Sequence, residues 1–238
     1  YNMTAAAARN DSLMYFYGVE VGRECKEMGI HIQFAPVLDV NSNAKNPVIN
    51  TRSFGENPEE VTRNATAYVQ GIQSKGIIAV GKHFPGHGDT NEDSHNELAI
   101  VPHSRERLNK VELFPFKRLI DEGIDGIMTG HIFVPAIDSS RTPASLSPLV
   151  INELLKKELG FDGLIFTDGL KMKGVSNQPD IAIRAILAGN DILLDVNNIP
   201  KEITSVKKAI KEGKLSQTLI DEKCKKILYY KYMSGLNR

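Results

Sequence analysis

The stretch GIIAVGKHFPGHGDTNEDSH, residues 76–95, indicates the fold because it joins an apolar segment directly to a polar loop. Residues 77–80 are apolar and mostly β-branched, which is typical of a buried strand in a parallel sheet. Residues 81–95 then carry one lysine, three histidines and three acidic residues among three glycines and a proline, which excludes a regular helix. Ligands of parallel α/β folds bind where strands end, so this loop is a candidate active site.

Similar apolar runs recur along the chain and alternate with helical signals. A cap residue, a proline and two glutamates begin one predicted helix at residues 57–60. Further helices are predicted over 147–160, 182–187, 206–210 and from residue 216, and the strands over 30–38, 77–80, 126–129, 164–167 and 191–196. This alternation predicts an α/β protein with a parallel sheet, either open or closed as a barrel. Five strands are fewer than the eight of a closed barrel.

Composition excludes some classes of partner. The 238 residues include 29 basic and 29 acidic side chains, and zero net charge argues against nucleic acid or an acidic membrane surface. No apolar run reaches transmembrane length, so we expect no membrane insertion. Cys25 and Cys224 lie far apart in sequence, and we predict two buried free thiols rather than a disulfide. The compartment stays open between cytoplasm and periplasm.

Polar groups follow four of the predicted strands, and parallel strands would bring these ends to one rim. Asp168 comes directly after the apolar residues 164–166. It can be a turn residue, because Asp-Gly is a common turn pair, or a carboxylate that acts as nucleophile or general base. Lys82 lies beyond a buried strand, where a cation needs an anionic or hydroxyl partner. Arg52 and Lys82 can also be ordinary surface charges, and His83 and His131 can be core histidines.

Asp93-Ser94-His95 offers a second chemical group in the long loop. The spacing lets the Asp93 carboxylate reach a ring nitrogen of His95 and support its charged form. A histidine with a pKa near ~6.5 can then donate a proton and take it back near neutral pH. An ordinary surface loop is the alternative. We treat His31 and His103 as structural.

A metal site is a further alternative for the same loop. Its ligands would be of the types that suit Zn²⁺. The glycines and the proline, however, leave no HxH or HExxH spacing on a regular element. We therefore expect neither a metal nor another cofactor, although the cluster remains a possible metal-dependent hydrolase site, with the ligands His83, His87, Asp89, Asp93 and His95.

Taken together, five motifs make the chain resemble the N-terminal domain of glycoside hydrolase family 3, in its β-N-acetylglucosaminidase branch. They span most of the chain in family order, and the Asp-Ser-His element separates this branch from the β-glucosidases of the family. The matching stretches are FAPVLDV at 34–40, NPVI at 46–49, RSFG at 52–55, KHFPGHGDT at 82–90 with DSH at 93–95, and TDGLKM at 167–172.

The resemblance implies that residues 1–238 are one catalytic (β/α)₈ TIM-type barrel domain. It also implies that the first strands, with a sugar-binding aspartate, precede Tyr1, so we expect an incomplete barrel. Gly169 departs from the family pattern, which has a carboxylate or alanine there; we expect altered backbone freedom and unchanged chemistry.

The resemblance further implies a retaining glycosidase with a covalent intermediate on Asp168 and with His95, paired with Asp93, as acid/base. Arg52, Lys82 and His83 would hold sugar hydroxyls, and His131 is also predicted to bind substrate. A neutral base avoids a second anion beside an anionic aglycone, so a cell-wall fragment with terminal β-N-acetylglucosamine is the expected substrate. Phosphorolysis and a non-catalytic sugar-binding module remain alternatives.

Overall fold

The computed structural model describes residues 1–91 and 98–236 of the chain. Five of its strands form one parallel sheet in the spatial order β1-β2-β4-β6-β7, and β3 and β5 form a separate parallel pair. The strands are β1 (Ile32–Gln33), β2 (Ile78–Phe84), β3 (Ala99–Ile100), β4 (Gly126–Thr129), β5 (Ile132–Phe133), β6 (Leu164–Gly169) and β7 (Ile192–Leu194).

Helices alternate with these strands along the chain. Among the described residues, no helix combines the length and the apolar character needed to cross a membrane. A π-type helix over Leu149–Glu158 and 3₁₀ turns at Asn50–Arg52 and Ala144–Leu146 complete the regular structure. The α-helices are α1 (Asn2–Ala6), α2 (Asp11–Glu27), α3 (Pro58–Gln73), α4 (Arg105–Lys110), α5 (Phe114–Asp121), α6 (Ile181–Ala188), α7 (Ile199–Lys211) and α8 (Gln217–Met233).

The start of α3 shows how local sequence specifies a helix. The Asn57 side chain accepts hydrogen bonds from the amides of Glu59 and Glu60 at 2.9 and 3.1 Å, and Pro58 occupies the first turn. These contacts satisfy amide groups that have no partner within the helix. Behind this cap, α3 buries nine of its sixteen residues, so the helix is held mainly by packing.

Strand side chains alternate between two apolar layers. Ala79 and Ile165 belong to the larger layer, which packs against the helices. Ile78, Val80 and Phe166 belong to a smaller layer on the other face, where side chains of α8 also pack. Both faces of the sheet are therefore covered, as is usual for parallel strands.

The α/β prediction and its five strands are confirmed, with different bounds. The first predicted strand, 30–38, shortens to Ile32–Gln33, followed by one isolated parallel bridge between Val37 and Lys82. The β3 and β5 strands were not predicted. The prediction of two buried free thiols holds for Cys25 and is wrong for Cys224, which is free but exposed on α8.

Candidate active site

The carboxyl ends of β2, β4 and β6 lie side by side because the three strands are parallel neighbours, with one shift of register between Lys82 and Phe84 of β2. Phe84 pairs with Thr129 in the first ladder, and Thr129 pairs with Thr167 in the second. Polar side chains at the strand ends therefore share one edge of the sheet. They are Lys82 and His83 on β2, His131 just beyond β4, and Asp168 on β6.

A fully buried carboxylate, that of Asp39, holds the end of β2 and the loop beyond it. It accepts the backbone N–H of His83 at 3.2 Å and that of His87 at 2.6 Å. The His83 ring donates from Nδ1 to Asp39 Oδ2 at 2.8 Å. Burial acts to raise the pKa of Asp39, but the His83 charge and these hydrogen bonds hold the pKa below its usual value. Asp39 is thus a buried anion with its donors in place.

Asp39 was not among the predicted site residues. The available signal was its position directly after the apolar residues 34–38, at the first of the polar strand ends. Three peptide bonds near it are cis: Ala35–Pro36, Lys82–His83 and Phe84–Pro85.

The loop after β2 is also fixed by Asn46 and by a close backbone approach. Asn46 donates to the carbonyls of His87 and Thr90 at 2.8 and 3.1 Å. A side-chain carbon at Gly88 would lie 1.8 Å from the Val40 carbonyl oxygen, so only glycine fits there. These contacts fix the position of the base of the candidate catalytic loop up to residue 90.

Asp168 lies at the end of β6, partly exposed, with Oδ1 accepting the Gly169 N–H at 2.8 Å. Burial acts to raise its pKa, but the charges of His83 and His131, the Gly169 amide and the Lys82 ammonium hold the pKa below the usual aspartate value. The side chain is therefore ionised at neutral pH and reachable from solvent. Those are the two properties that a carboxylate nucleophile needs.

His131 lies behind Asp168 and is completely buried. Its Nε2 donates to the Gly169 carbonyl at 2.9 Å, and its Nδ1 shares a hydrogen bond with the Ser145 hydroxyl at 2.7 Å. The proton on Nε2 follows from the bonding network, because a carbonyl oxygen can only accept. In these contacts the ring supports the backbone at Asp168; its predicted role in binding substrate stays a prediction.

Lys82 and Arg52 form a pair of cations at the same rim. Burial, and then the Arg52 guanidinium, lower the pKa of the Lys82 ammonium, while the Asp168 and Asp39 carboxylates oppose that change. Arg52 ends its 3₁₀ turn and donates from Nη1 to the Val48 carbonyl at 3.0 Å. Both side chains are partly exposed and can donate hydrogen bonds to a polar ligand.

Asp93 and His95 lie outside the described residues, so their roles stay predictions. The metal alternative also stays open, because two of its five ligands are Asp93 and His95. Within residues 1–91 and 98–236, no three histidine, cysteine or acidic side chains are grouped to hold a metal ion. Of the proposed ligands, Asp89 instead contacts His103 and Ser42.

Comparisons with known proteins identify the family. The model of the "Glycosyl hydrolase family 3 N terminal domain" matches residues 1–229. Beta-hexosaminidase A of Pseudoalteromonas piscicida is 40% identical over 220 residues, covering 83% of this chain and 37% of that protein. A beta-hexosaminidase of Nitrosomonas eutropha is 40% identical over 184 residues, covering 76% of this chain and 52% of that protein.

Comparison with solved structures identifies the same family. A family 3 β-N-acetylglucosaminidase from Paenibacillus sp. FPU-7 has a TM-score of 0.95 at 40% identity, covering all of this chain and 46% of that one. Zn-bound CbsA from Thermotoga neapolitana has a TM-score of 0.91 at 34% identity, covering all of this chain and 52% of that one.

These matches also settle the fold. The chain spans 37–56% of the length of the first three curated relatives. Its curled parallel sheet is part of a (β/α)₈ TIM-type barrel, as predicted. The chain belongs to glycosyl hydrolase family 3, within the N-terminal domain of that family.

Proposed function

We propose that the protein is a retaining glycoside hydrolase of the hexosaminidase type that removes terminal β-N-acetylglucosamine. The observation that carries this proposal is the ionised, solvent-reachable Asp168 carboxylate beside Lys82 and His83 at the edge of the sheet. The relatives named beta-hexosaminidase, which cover most of this chain, support the same reaction. In this proposal residues 1–238 belong to one catalytic barrel domain.

In the first step Asp168 attacks the anomeric carbon and a glycosyl–Asp168 ester forms. The bond from that carbon to the leaving oxygen breaks, and that oxygen takes a proton from His95, whose charged form Asp93 supports. In the second step water attacks the same carbon and gives its proton to His95. The ester bond breaks, which restores the Asp168 carboxylate. Each step inverts the configuration at the anomeric carbon, so the product keeps the configuration of the substrate.

An imidazole acid/base influences the choice of substrate. His95 would be neutral once it has protonated the leaving group, so no second anion would stand beside an anionic aglycone. Arg52 and Lys82 add positive charge at the rim. A cell-wall fragment with terminal β-N-acetylglucosamine next to a carboxylate-bearing sugar fits this charge pattern.

The proposal is tested in the full-length protein with aryl glycosides of N-acetylglucosamine and glucose. We expect Asp168→Asn to lower kcat on the preferred sugar by on the order of 10³-fold or more, because the nucleophile is lost. Asp121→Asn, which changes an exposed carboxylate on α5, is the matched control and should keep full activity. Near wild-type turnover by Asp168→Asn would remove it from the nucleophile role.

The proton donor is tested separately. We expect His95→Ala to lose much more rate on a glycoside with a poor leaving group than on an activated aryl glycoside, because only the former needs protonation. Equal losses on both substrates would argue against His95. Turnover that a chelator abolishes would favour the metal-dependent alternative, and binding of N-acetylglucosamine without turnover would favour a sugar-binding module.

Phosphorolysis is the second candidate. A structure described as "Beta-glucoside phosphorylase BglX" matches 99% of this chain with a TM-score of 0.95 at 27% identity. Phosphate would then replace water in the second step and yield a sugar 1-phosphate. Turnover and products compared with and without inorganic phosphate distinguish the two acceptors.

A further inference from the structure

Asp89 and His103 form a side-chain hydrogen bond that the proposed reaction does not use. Asp89 Oδ2 contacts His103 Nε2, and Asp89 Oδ1 accepts from the Ser42 hydroxyl at 3.0 Å. The side chains of His103 and Asp89 are only 27% and 21% exposed, so water has limited access to the contact between them. His103 was treated as structural from sequence.

The Asp89 side of the pair is tied to a fixed part of the fold. Asn43 donates to the Thr90 carbonyl at 3.2 Å and to the Asn91 side chain at 2.9 Å. Asn46 holds the Thr90 carbonyl as well. Residues 42–46 therefore anchor the chain on the amino side of residue 92.

The His103 side is anchored independently. The β3 strand pairs with β5, and the Val101 amide donates to the Phe133 carbonyl at 2.9 Å. Ser104 caps α4 by accepting from the Arg107 amide at 3.3 Å. His103 thus lies between a strand and a capped helix, on the carboxyl side of residue 97.

Among the described residues, the charged groups Arg107 and Glu112 also lie near the pair. Glu112 is buried, and its Oε1 lies 3.3 Å from Arg107 Nη2. A side-chain carbon at Gly86 would lie 2.8 Å from the Glu112 β-carbon, so the loop after β2 rests directly on Glu112. The pair is therefore enclosed by the loop and by the segment from β3 to α5.

We propose that Asp89 and His103 are positioning residues. Their contact clamps together residues 83–91 and 98–104, the two chain segments that precede and follow Asp93 and His95. This inference rests on the proposed function, because it assigns the clamp to the acid/base residues. Asp89 precedes Asp93 by four residues, and His103 follows His95 by eight. A contact between Asp89 and His103 fixes the separation of two points that are 14 residues apart in the chain. Displacement of a catalytic group by 1 Å can cost about 10²-fold in rate.

The kinetic test is a double-mutant cycle in the full-length protein. We expect Asp89→Ala and His103→Ala each to lower kcat on a poor leaving group by about tenfold or more, with a much smaller loss on an activated aryl glycoside. The double variant should be no worse than either single one, because both remove the same contact. His103→Gln can still donate to Asp89 and should restore most of the rate. Glu106→Gln, in the exposed Lys110–Glu106 pair of α4, is the matched control.

A second measurement does not depend on turnover. We expect amide hydrogen exchange at residues 86–91 and 98–103 to accelerate in His103→Ala and to stay near wild type in His103→Gln. Unchanged exchange in His103→Ala overturns the clamp, even if no glycoside is hydrolysed and the proposed function fails. Faster exchange with equal rate losses on all leaving groups overturns the positioning role, since the pair would then only hold the fold. Additive losses in the double variant also overturn the clamp.

Discussion

A single residue, Asp39, fixes the backbone at two positions of the loop after β2, those of His83 and His87. Sequence reasoning finds the strand end on which it lies. The sequence alone does not predict that Asp39 is buried, because its hydrogen-bond donors come from residues 44 and 48 positions later in the chain. Whether a carboxylate at a strand end faces solvent or backbone amides depends on such long-range contacts.

Asp39→Asn should lower the free energy of unfolding by about 3 kcal/mol, because His83 and two buried amides lose a charged acceptor. The effect should depend on pH. The folded-state pKa is depressed, so the contribution is complete above the unfolded value of ~3.9 and is lost as pH falls through the folded value. Urea unfolding of both proteins at pH 7 and near pH 3 measures this. An equal difference in the free energy of unfolding between the two proteins at both pH values would contradict the prediction.

Replacement by alanine should be costly at one glycine of the site and nearly neutral at another. At Gly88 the new carbon meets the Val40 carbonyl at 1.8 Å, so Gly88→Ala should destabilise by about 1–3 kcal/mol. At Gly169 the nearest atom is Asp195 Cβ at 3.6 Å, an ordinary contact, and the change should stay within about 0.5 kcal/mol. Thermal unfolding with activity at 25 °C compares them. A marked loss in Gly169→Ala would show that its backbone freedom matters.

At the scale of elements, α2 and α3 cross at a point where both backbones come close. Side-chain carbons at Gly18 and Gly71 would each lie 2.2 Å from a carbonyl oxygen of the other helix, that of Tyr68 and that of Tyr15. Glycines lower helix propensity, so the sequence gives little sign of a 17-residue helix here. Their role becomes visible only when the two helices are packed together.

Gly71→Ala should therefore lower the free energy of unfolding by about 1–3 kcal/mol, although alanine is the better helix former. Gly22→Ala is the matched control and should cost less, because its new carbon would lie 3.0 Å from Lys75 Cβ and 3.1 Å from the Ile72 carbonyl oxygen, much farther than 2.2 Å. Urea denaturation of the two variants gives the comparison. Equal losses of stability in the two variants would mean that α2 and α3 can move apart to accommodate the new carbon.

The five strands of the main sheet could be predicted because each is a short apolar run between turn residues. The β3 and β5 strands have two residues each, too few for any alternation to show. The first strand was predicted too long because 30–38 is mostly apolar, whereas the regular pairing ends at Gln33 and Pro36 has no amide to donate to a strand ladder.

At the scale of the whole molecule, the opposite ends of the strands hold α8 in place. Asp191, just before β7, accepts from Lys223 at 3.2 Å and from Lys226 at 2.9 Å. It also accepts the Ile165 amide at 3.0 Å. Lys223 is buried, so this contact joins a charged helix to the sheet far from Asp168.

Asp191→Asn should destabilise the protein by about 3 kcal/mol, because Lys223 then stays buried without its anion. The KM for an aryl glycoside should not change, since the substitution lies at the amino ends of the strands. Chemical unfolding and steady-state kinetics on the same preparation separate the two effects. A raised KM with unchanged stability would show that this end of the sheet communicates with the rim.

Strand–helix alternation was sufficient to predict a parallel sheet and thereby the shared rim of Lys82, His83 and Asp168. The lateral order β1-β2-β4-β6-β7 and the separate β3–β5 pair could not be predicted, because pairing partners are set by packing between distant segments. Asp93 and His95 lie outside the described residues, so the structure does not test their predicted roles.

The hold of Asp39 and Asn46 on residues 83–90 has an evolutionary consequence. These contacts end before residue 91 and mostly involve backbone amides and carbonyls, which every sequence possesses. The chain beyond them can therefore be replaced by a different segment while its starting point stays where it is. A scaffold of this kind allows one segment to change in sequence and length while the sheet edge that carries it stays the same.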